Sequence, residues 1–433
     1  MEFENLPEGW KTAKIKDILE STDYVANGSF QALKENVSYK DVPDYAILIR
    51  LVDYNSNWSN SFVYVDKHAY DFLKKSYVNP KDIIISNVGA NVGTVFQAPD
   101  LGLPMTLGPN SVLLRIKSAD INRDYIFYYL KSYYGQGQLQ SIVSGSAQPK
   151  FNKTDLRSLE LPFPPFPQQQ KIASILGALD DKIELNNQMN QTLETMAKAL
   201  FKSWFVDFEP FADGEFEESE FGMIPKGWKV GIVGEIIEFI NGYAFKSKDL
   251  LEDFQPDTYR VFKMGHIKRG GGFDGSKTKS YIEKSQCTKL DKYILKVGDL
   301  LMAMTDMKAN VAILGHTALM IENDRYVVNQ RVGLIRPKNS IGIDYPFLYL
   351  LTNSSTFIED LRSRANSGVQ VNLSTSEIKD TTVIIPTQEV NLAFDKAVKP
   401  LFLKIAQNQQ EIEILSSIRD SLLPKLMSGE IEI

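Results

Sequence analysis

Apolar residues recur every three or four positions through residues 167–205, at Ile172, Ile175, Leu179, Ile183, Met189, Leu193, Met196, Leu200 and Trp204, and Asn186 holds one polar seat in the row. A period of three to four sustained over about nine turns predicts one long helix, nearer to a coiled-coil seam than to an ordinary globular helix. Adding 222 to these positions lands on Phe394, Ala397, Leu401, Ile405, Leu415, Ile418, Leu422 and Leu426, and carries Asn186 onto Asn408. The stripe is therefore duplicated, its polar seat included. In the second copy Pro400 removes a backbone hydrogen bond, so a kink is expected there, and Pro424 is expected to end the helix or loosen its last turn.

The repeat extends beyond the helices. Leu6-Pro7-Glu8-Gly9-Trp10-Lys11 opens the chain and Ile224-Pro225-Lys226-Gly227-Trp228-Lys229 reopens it 218 residues later. Short amphipathic pieces follow at residues 15–19 and 233–237, then strand-like runs at 45–52 and 259–264 leading into polar or glycine-rich loops at 53–58 and 266–272. Residues 81–85 pair with 298–302, each a strand entered through an acid, Asp82 or Asp299, and 111–116 pair with 331–335. Residues 124–130 match 344–350 in five of seven places, and Ser144-Gly145-Ser146-Ala147-Gln148 answers Ser367-Gly368-Val369-Gln370. A period near 220 residues is too long for a solenoid and reports a duplicated domain.

These patterns predict an α+β chain: a globular domain (1–164), a long helix (165–206), an acidic linker with a second globular domain (207–385), and a second long helix with a tail (386–433). Two such helices bury their stripes by lying antiparallel, which gives a pseudo-twofold arrangement with the amides of Asn186 and Asn408 close together in the seam. Leu179, Leu401, Ile183 and Ile405 are the apolar seam positions beside them. A helix of roughly 38 residues reaches about 57 Å, so the globular domains are expected at opposite ends of a rod. The sequences at the two ends suggest a ring cut at one linker.

Composition changes this picture little. One cysteine, Cys287, excludes a disulfide framework and fits a reducing compartment. No apolar run is long enough to span a membrane, and the first residues lack a basic-then-apolar leader, so a soluble, cytoplasmic protein is expected. The formal charge of -6 is concentrated: residues 207–222 hold seven acids and no base, and the remaining 47 acids face 48 bases. Both signs are thus free to form separate faces.

Catalytic and metal chemistry are absent from the pattern. His68, His266 and His316 lack partners at metal-ligand spacing and are expected on the surface or in loops. Neither a phosphate-binding Gly-x-x-x-x-Gly-Lys-Ser/Thr nor the Asn/Asp-Pro-Pro-Tyr/Phe motif of amino-methyltransferases occurs, and Gly270-Gly271-Gly272 is weak evidence for a phosphate cradle.

The Pro-x-Gly-Trp openings, the run Pro162-Phe-Pro-Pro-Phe-Pro-Gln-Gln-Gln-Lys-Ile172 into Leu179-Asp-Asp-Lys-Ile-Glu-Leu-Asn186, and the ending Ser421-Leu-Leu-Pro-Lys-Leu-Met-Ser-Gly-Glu430 together resemble the DNA-specificity subunits of Type I restriction-modification systems. The resemblance covers the whole chain. It implies two target-recognition domains that each read half of a split site on double-stranded DNA, and no catalysis by the chain itself. It also implies two methyltransferase subunits docked on the helical regions, and restriction subunits that add ATP-driven cleavage. S-adenosylmethionine, ATP and Mg are then expected on those partners, with no cofactor and no metal on this chain. The second half departs from the pattern where Thr387-Gln-Glu-Val-Asn391 replaces the Pro-Gln-Gln-Gln run. Competing readings are the specificity subunit of a related Type IIB-like system, a structural adaptor that binds proteins, and a stand-alone enzyme with an unfamiliar site.

Base edges in the major groove pair with Arg, Lys, Asn and Gln presented on loops. Loops that agree in frame but differ in sequence are where a duplicated reader diverges. In the first domain they offer Arg50, Asn55, Asn57, Asn87, Asn91, Gln148, Lys150 and Lys153. In the second they offer Lys263, Lys268, Arg269, Lys308, Asn310, Arg364, Gln370 and Asn372.

Overall fold

The two Pro-x-Gly-Trp openings fold into the same tight turn. In the computed structural model the Trp10 amide donates to the Pro7 carbonyl and the Trp228 amide to the Pro225 carbonyl, both at 3.1 Å. Gly9 and Gly227 sit at φ 80° and 86°, a left-handed conformation that a side chain would strain. Each turn launches a strand that pairs antiparallel with the strand preceding a long helix: Lys11–Lys14 with Glu160–Phe163, and Lys229–Ile232 with Thr382–Ile385. The structure describes residues 6–307, 311–338, 342–367 and 370–433, the side chains of residues 366, 367 and 370 excepted.

The chain divides into two compact units, Met1–Leu185 with Glu411–Ile433, and Asn186–Gln410. Each unit thus takes half of each long helix. In unit 1 a four-stranded antiparallel sheet runs in the order Leu19–Asp23, Ser111–Ile116, Ile83–Ser86, Val95–Gln97. Unit 2 repeats it as Ile237–Asn241, Val332–Pro337, Leu300–Ala303, Thr317–Leu319. A second sheet in each unit is built on one parallel pair, Ala46–Ile49 beside Met105–Leu107 and Thr258–Phe262 beside Tyr326–Val328.

The central strands are apolar on both faces because each separates two cores. Ile83 and Ile85 enter one core and Ile84 the other, while Leu300 and Met302 are divided in the same way from Leu301 and Ala303. The acids that enter these strands are ion-paired. Asp82 accepts from Arg115 Nη2 (2.7 Å), and Asp299 holds Arg336 through Nε (2.7 Å) and Nη2 (2.8 Å), a bidentate fork.

The long helices span Phe166–Phe205 and Gln388–Ser428. The second passes through both Pro400 and Pro424 without being divided, so Pro424 does not end it. Pro400 is exposed, where water is able to take the freed carbonyl. The two run antiparallel: in unit 1 Asp180 meets Arg419 (2.7 Å) and Lys182 meets Glu411 (3.4 Å). Their deepest residues lie at the ends. Ile172, Ala173 and Leu176 share the unit 1 core with Leu426 and Met427, while Ala197, Phe201 and Phe205 share the unit 2 core with Phe394, Val398 and Phe402. Between these ends the expected seam is shallower than the pattern suggested. Leu179, Ile183, Leu401 and Ile405 are half-buried, Ile175, Met196 and Ile418 are exposed, and Asn186 and Asn408 are buried. The polar seat is correctly located, but its hydrogen bond is offset. Asn408 Nδ2 donates to Asn190 Oδ1 (2.8 Å), because the antiparallel register opposes residue 408 to a residue one turn beyond Asn186.

Three further expectations are corrected. Residues 207–222 are more than a linker: Phe208 and Phe211 pack edge-on against Trp228 (5.5 and 5.1 Å between centroids), and Phe216–Ser219 forms a hairpin with Gly222–Pro225. The strand read at 45–52 ends at Ile49, and Leu51–Asn55 is helical, capped by the Asp53 carboxylate. His266 is neither a surface nor a loop residue. Its ring is buried and stacks on Phe262 (4.9 Å), with Nε2 3.0 Å from Thr278 Oγ1 and Nδ1 3.0 Å from the Lys263 amide. Nδ1 lies 3.0 Å from the Lys263 carbonyl as well, so the tautomer sets which of the two backbone groups it pairs with.

Two predictions follow from these buried polar groups. Asp299→Ala leaves the half-buried Arg336 guanidinium without its carboxylate, and denaturant melts should show a loss of about 2–3 kcal/mol. Asp82→Ala should do the same in unit 1, and an unchanged midpoint in either variant would contradict the pairing. Burial also pushes His266, and His316 with it, below the usual imidazole value of 6.5. An unfolded imidazole therefore binds a proton that the folded one refuses, and stability falls as pH drops through that value. His266→Phe should give a shallower loss of melting temperature between about pH 7.5 and about pH 5.5 than the parent chain. Equal slopes would rule the buried imidazole out as a contributor.

Candidate nucleic-acid interface

At one end of each central sheet four segments are laced together by backbone hydrogen bonds. In unit 1 the amide of Gly108 donates to Ile49 (2.8 Å), that of Asn87 to Asn110 (3.0 Å), and that of Phe151 to Asn87 (3.1 Å). In unit 2 Asn329 donates to Phe262 (3.0 Å), Met304 to Arg331 (3.1 Å), and Leu373 to Met304 (2.9 Å). The segments so joined are the one after the first strand of the parallel pair, the one after the central strand, the turn between the two sheets, and the Ser-Gly loop. They come from distant parts of the sequence. Their backbones are fixed by one another, so their side chains project from a rigid platform.

The opposite end of the sheet faces the long helix. In unit 1 Gln169, fully buried near the start of that helix, accepts from the Asn122 amide (2.8 Å) and donates to the carbonyls of Asp120 (3.0 Å) and Pro164 (2.9 Å). Asn391 occupies the equivalent place in unit 2 and donates to the Pro386 carbonyl (3.3 Å). The departure from the Gln-rich run thus keeps the buried amide and shortens its reach.

Among the residues expected to read DNA, unit 1 brings several together. Gly89 donates to the Pro149 carbonyl (2.8 Å), and Lys150 bridges both Val88 and Ser144, so the loop carrying Asn87 and Asn91 lies against the loop carrying Gln148 and Lys150. Asn91, Gln148 and Lys150 are exposed, whereas Asn87 is half-buried and turns Nδ2 toward the Phe151 carbonyl (3.4 Å). Asn55 and Asn57 are exposed beside an aromatic wall in which Tyr54 stacks on Phe96 at 4.7 Å.

Other candidates are held by internal partners. Arg50 grips buried Asp53 (2.7 Å), Lys153 pairs with Asp23 (2.7 Å), Lys263 Nζ donates to Ser280 (2.6 Å), and Arg364 pairs with Asp360 (3.1 Å). These side chains brace the platform. Their carboxylate and hydroxyl partners lie within a few residues or on adjoining strands, a proximity that loop composition does not reveal.

In unit 2 Lys268 and Arg269 are exposed at a turn in which Gly270, Gly271 and Gly272 all have positive φ, and Gly271 lies so close to the Asn353 carboxamide that no Cβ would fit. Asn372 is exposed on the strand Gln370–Asn372, which pairs with Thr305–Met307. Gln370 lies on the same strand, but its side chain is outside the described part of the structure. Lys308 and Asn310, with Gly368 of the Ser-Gly loop, lie outside the described residues.

The pattern missed two residues at the turn between the sheets. Asn110 and Arg331 are exposed and left-handed, at φ 66° and 69°. The sequence repeat had placed Arg331 at the start of a strand opposite Ser111. The strand begins one residue later, at Val332, and Arg331 is the counterpart of Asn110. The signal available in the sequence was the turn pair Pro109-Asn110, but its equivalent, Gln330-Arg331, carries none.

Among the described residues no helix is long and apolar enough to cross a membrane. The chain is 28% identical to the Type I restriction enzyme MjaIX specificity subunit of Methanocaldococcus jannaschii over 99% of this chain and 95% of that one. It is likewise 28% identical to the Type I restriction enzyme HindI specificity subunit of Haemophilus influenzae, over 65% of this chain and 71% of the relative. Its fold is similar to the crystal structure of a Type-I restriction-modification system S subunit from M. genitalium, with a TM-score of 0.58 and 16% identity over 98% of this chain and 97% of the other. The family model described as Type I restriction modification DNA specificity domain matches residues 7–195 and again 225–420, one copy for each half of the repeat. The chain belongs to the family of Type I restriction modification DNA specificity domains.

Proposed function

We propose that this chain is the non-catalytic, DNA-reading subunit of a Type I restriction-modification complex, in which unit 1 reads one half of a bipartite target and unit 2 the other. The observation that carries this reading is the four-segment platform repeated with the same backbone hydrogen bonds and different side chains. A duplicated frame with divergent polar loops is what reading two unlike half-sites requires. The subunit works in the cytoplasm, on double-stranded DNA, and Asn91, Gln148 and Lys150 in unit 1, with Lys268, Arg269 and Asn372 in unit 2, are the proposed contacts.

The long helices supply a second face. On the helix segments of unit 1 Leu185, Ile414 and Ile418 are exposed at 52%, 60% and 41%, and on those of unit 2 Met196 and Leu403 are each exposed at 48%. Such surface is the natural seat of partner subunits. Two methyltransferase subunits are proposed to dock there and restriction subunits to join them, with S-adenosylmethionine, ATP and Mg bound by those partners.

The test is an exchange of residues 1–160 for those of a relative, followed by mapping of methylated adenines in cells that carry the partner methyltransferase. One half of the target should change and the other should persist. Inserting four residues, about one turn, into both helices should lengthen the unread gap by roughly two base pairs, since about 6 Å of rise meets about 3.4 Å per base pair. A target altered in both halves by the exchange, or a gap indifferent to the insertion, would overturn this reading. The purified chain alone should transfer no methyl group to DNA.

A further inference from the structure

Asn110 and Arg331 combine three properties. Each ends the turn between the two sheets, from Met105–Leu107 to Ser111–Ile116 and from Tyr326–Val328 to Val332–Pro337. Each is held left-handed by the platform, its carbonyl accepting the amide of Asn87 (3.0 Å) or Met304 (3.1 Å). Each side chain is exposed and, among the described residues, has no hydrogen-bond or ion-pair partner. That sets Arg331 apart from Arg50 and Arg364, which grip Asp53 and Asp360.

Asparagine tolerates the left-handed region, but a long side chain such as arginine does so at a cost, and glycine would fit both turns better. A strained residue kept exposed and unpaired on a rigid platform points to a task for its side chain.

Resting on the DNA-reading role proposed above, we propose that Asn110 and Arg331 are equivalent specificity-determining residues, one in each unit, that contact base edges directly. Their chemistry names the base. A guanidinium fork matches the O6 and N7 acceptors of guanine, and a carboxamide matches N6 and N7 of adenine. Unit 2 therefore reads a guanine through Arg331, and unit 1 reads an adenine through Asn110.

The experiment uses the full chain with its methyltransferase partner and a duplex library randomised in both half-sites. The variants are Arg331→Gly, Arg331→Asn, Arg331→Lys and Asn110→Gly, each with a melting curve. Gly and Asn both accept the turn, so these variants should melt within a few degrees of the parent. Arg331→Gly and Arg331→Asn should lose roughly 10- to 100-fold discrimination at one guanine of the unit 2 half-site, with the unit 1 half-site untouched. Arg331→Lys retains the charge but not the fork and should lose most of the same discrimination. Asn110→Gly should relax one adenine in the other half-site only. Unchanged preferences in variants that melt normally would overturn the proposal, as would an equal weakening for all sequences, which marks a phosphate contact. Exchange of residues 207–385 for those of a relative serves as the control. If the exchange moves the half-site and Arg331→Gly does not, only this inference falls; if the exchange moves nothing, the DNA-reading role itself falls.

Discussion

The structure depends on the burial of helix ends. Each core takes the start of one long helix and the end of the other, so unit 1 is assembled from two separate pieces of chain, residues 1–185 and 411–433. In unit 2 the rings of Phe201, Phe205, Phe394 and Phe347 meet at centroid distances of 4.7 to 6.4 Å, with Trp228 against Phe205 at 5.8 Å. A buried phenylalanine stabilises by roughly 1.5–3 kcal/mol, so this one cluster contributes as much as a typical domain has in net stability. In unit 1 the same role falls to Leu426 and Met427, and Gly429 then closes on Pro7 and Trp10 with no room for a side chain. The Pro-x-Gly-Trp turn and the Ser-Gly-Glu ending, far apart in sequence, are two sides of one contact.

This explains why the middle of the helices is the least buried part of a stripe that looked uniform. Periodicity reports that a residue is apolar. It does not distinguish burial in a globular core from a place on a shallow two-helix seam or from a face left for partners. Ile172 and Met196 belong to the same row, yet one is fully buried and the other is 48% exposed. The polar seats at Asn186 and Asn408 were legible as seats. Their bonding was not, because register between antiparallel helices is a tertiary property, and a shift of one turn exchanges Asn186 for Asn190 opposite Asn408.

Much of the frame was legible for a different reason: the chain states it twice. The strands entered through Asp82 and Asp299 and the helices Arg123–Lys131 and Tyr345–Thr352 all recur at nearly constant spacing. A duplicated fold is, in effect, one structure described by two sequences. Local overrides escaped this logic. The helix Leu51–Asn55 is nucleated by a carboxylate reaching back to the Arg50 amide (2.8 Å), and the start of the acidic segment is held by Phe208 and Phe211 against Trp228, with Phe208 also meeting Phe216 of the hairpin. His266 escaped for the opposite reason, since nothing near it in sequence announces the aromatic cluster of Phe262, Phe273 and Tyr326 that buries it.

The candidate site was legible as a set of loops but not as a set of free side chains. Of the four cations and cation-like readers that proved braced, Arg50 and Arg364 have their acids three and four residues away, where helix geometry brings them together. That division has a physical consequence. Where an arginine secures the platform, changing it alters the frame on which every neighbouring loop is held. Where a residue such as Gln148 projects from a backbone already fixed by hydrogen bonds, changing it alters only what is read. Because the lacing runs through main-chain amides and carbonyls, which every residue but proline carries in full, it survives nearly any substitution of the exposed side chains. The two units therefore keep the same lacing, 108 to 49, 87 to 110 and 151 to 87 in one, 329 to 262, 304 to 331 and 373 to 304 in the other, while sharing almost none of the side chains that project from it.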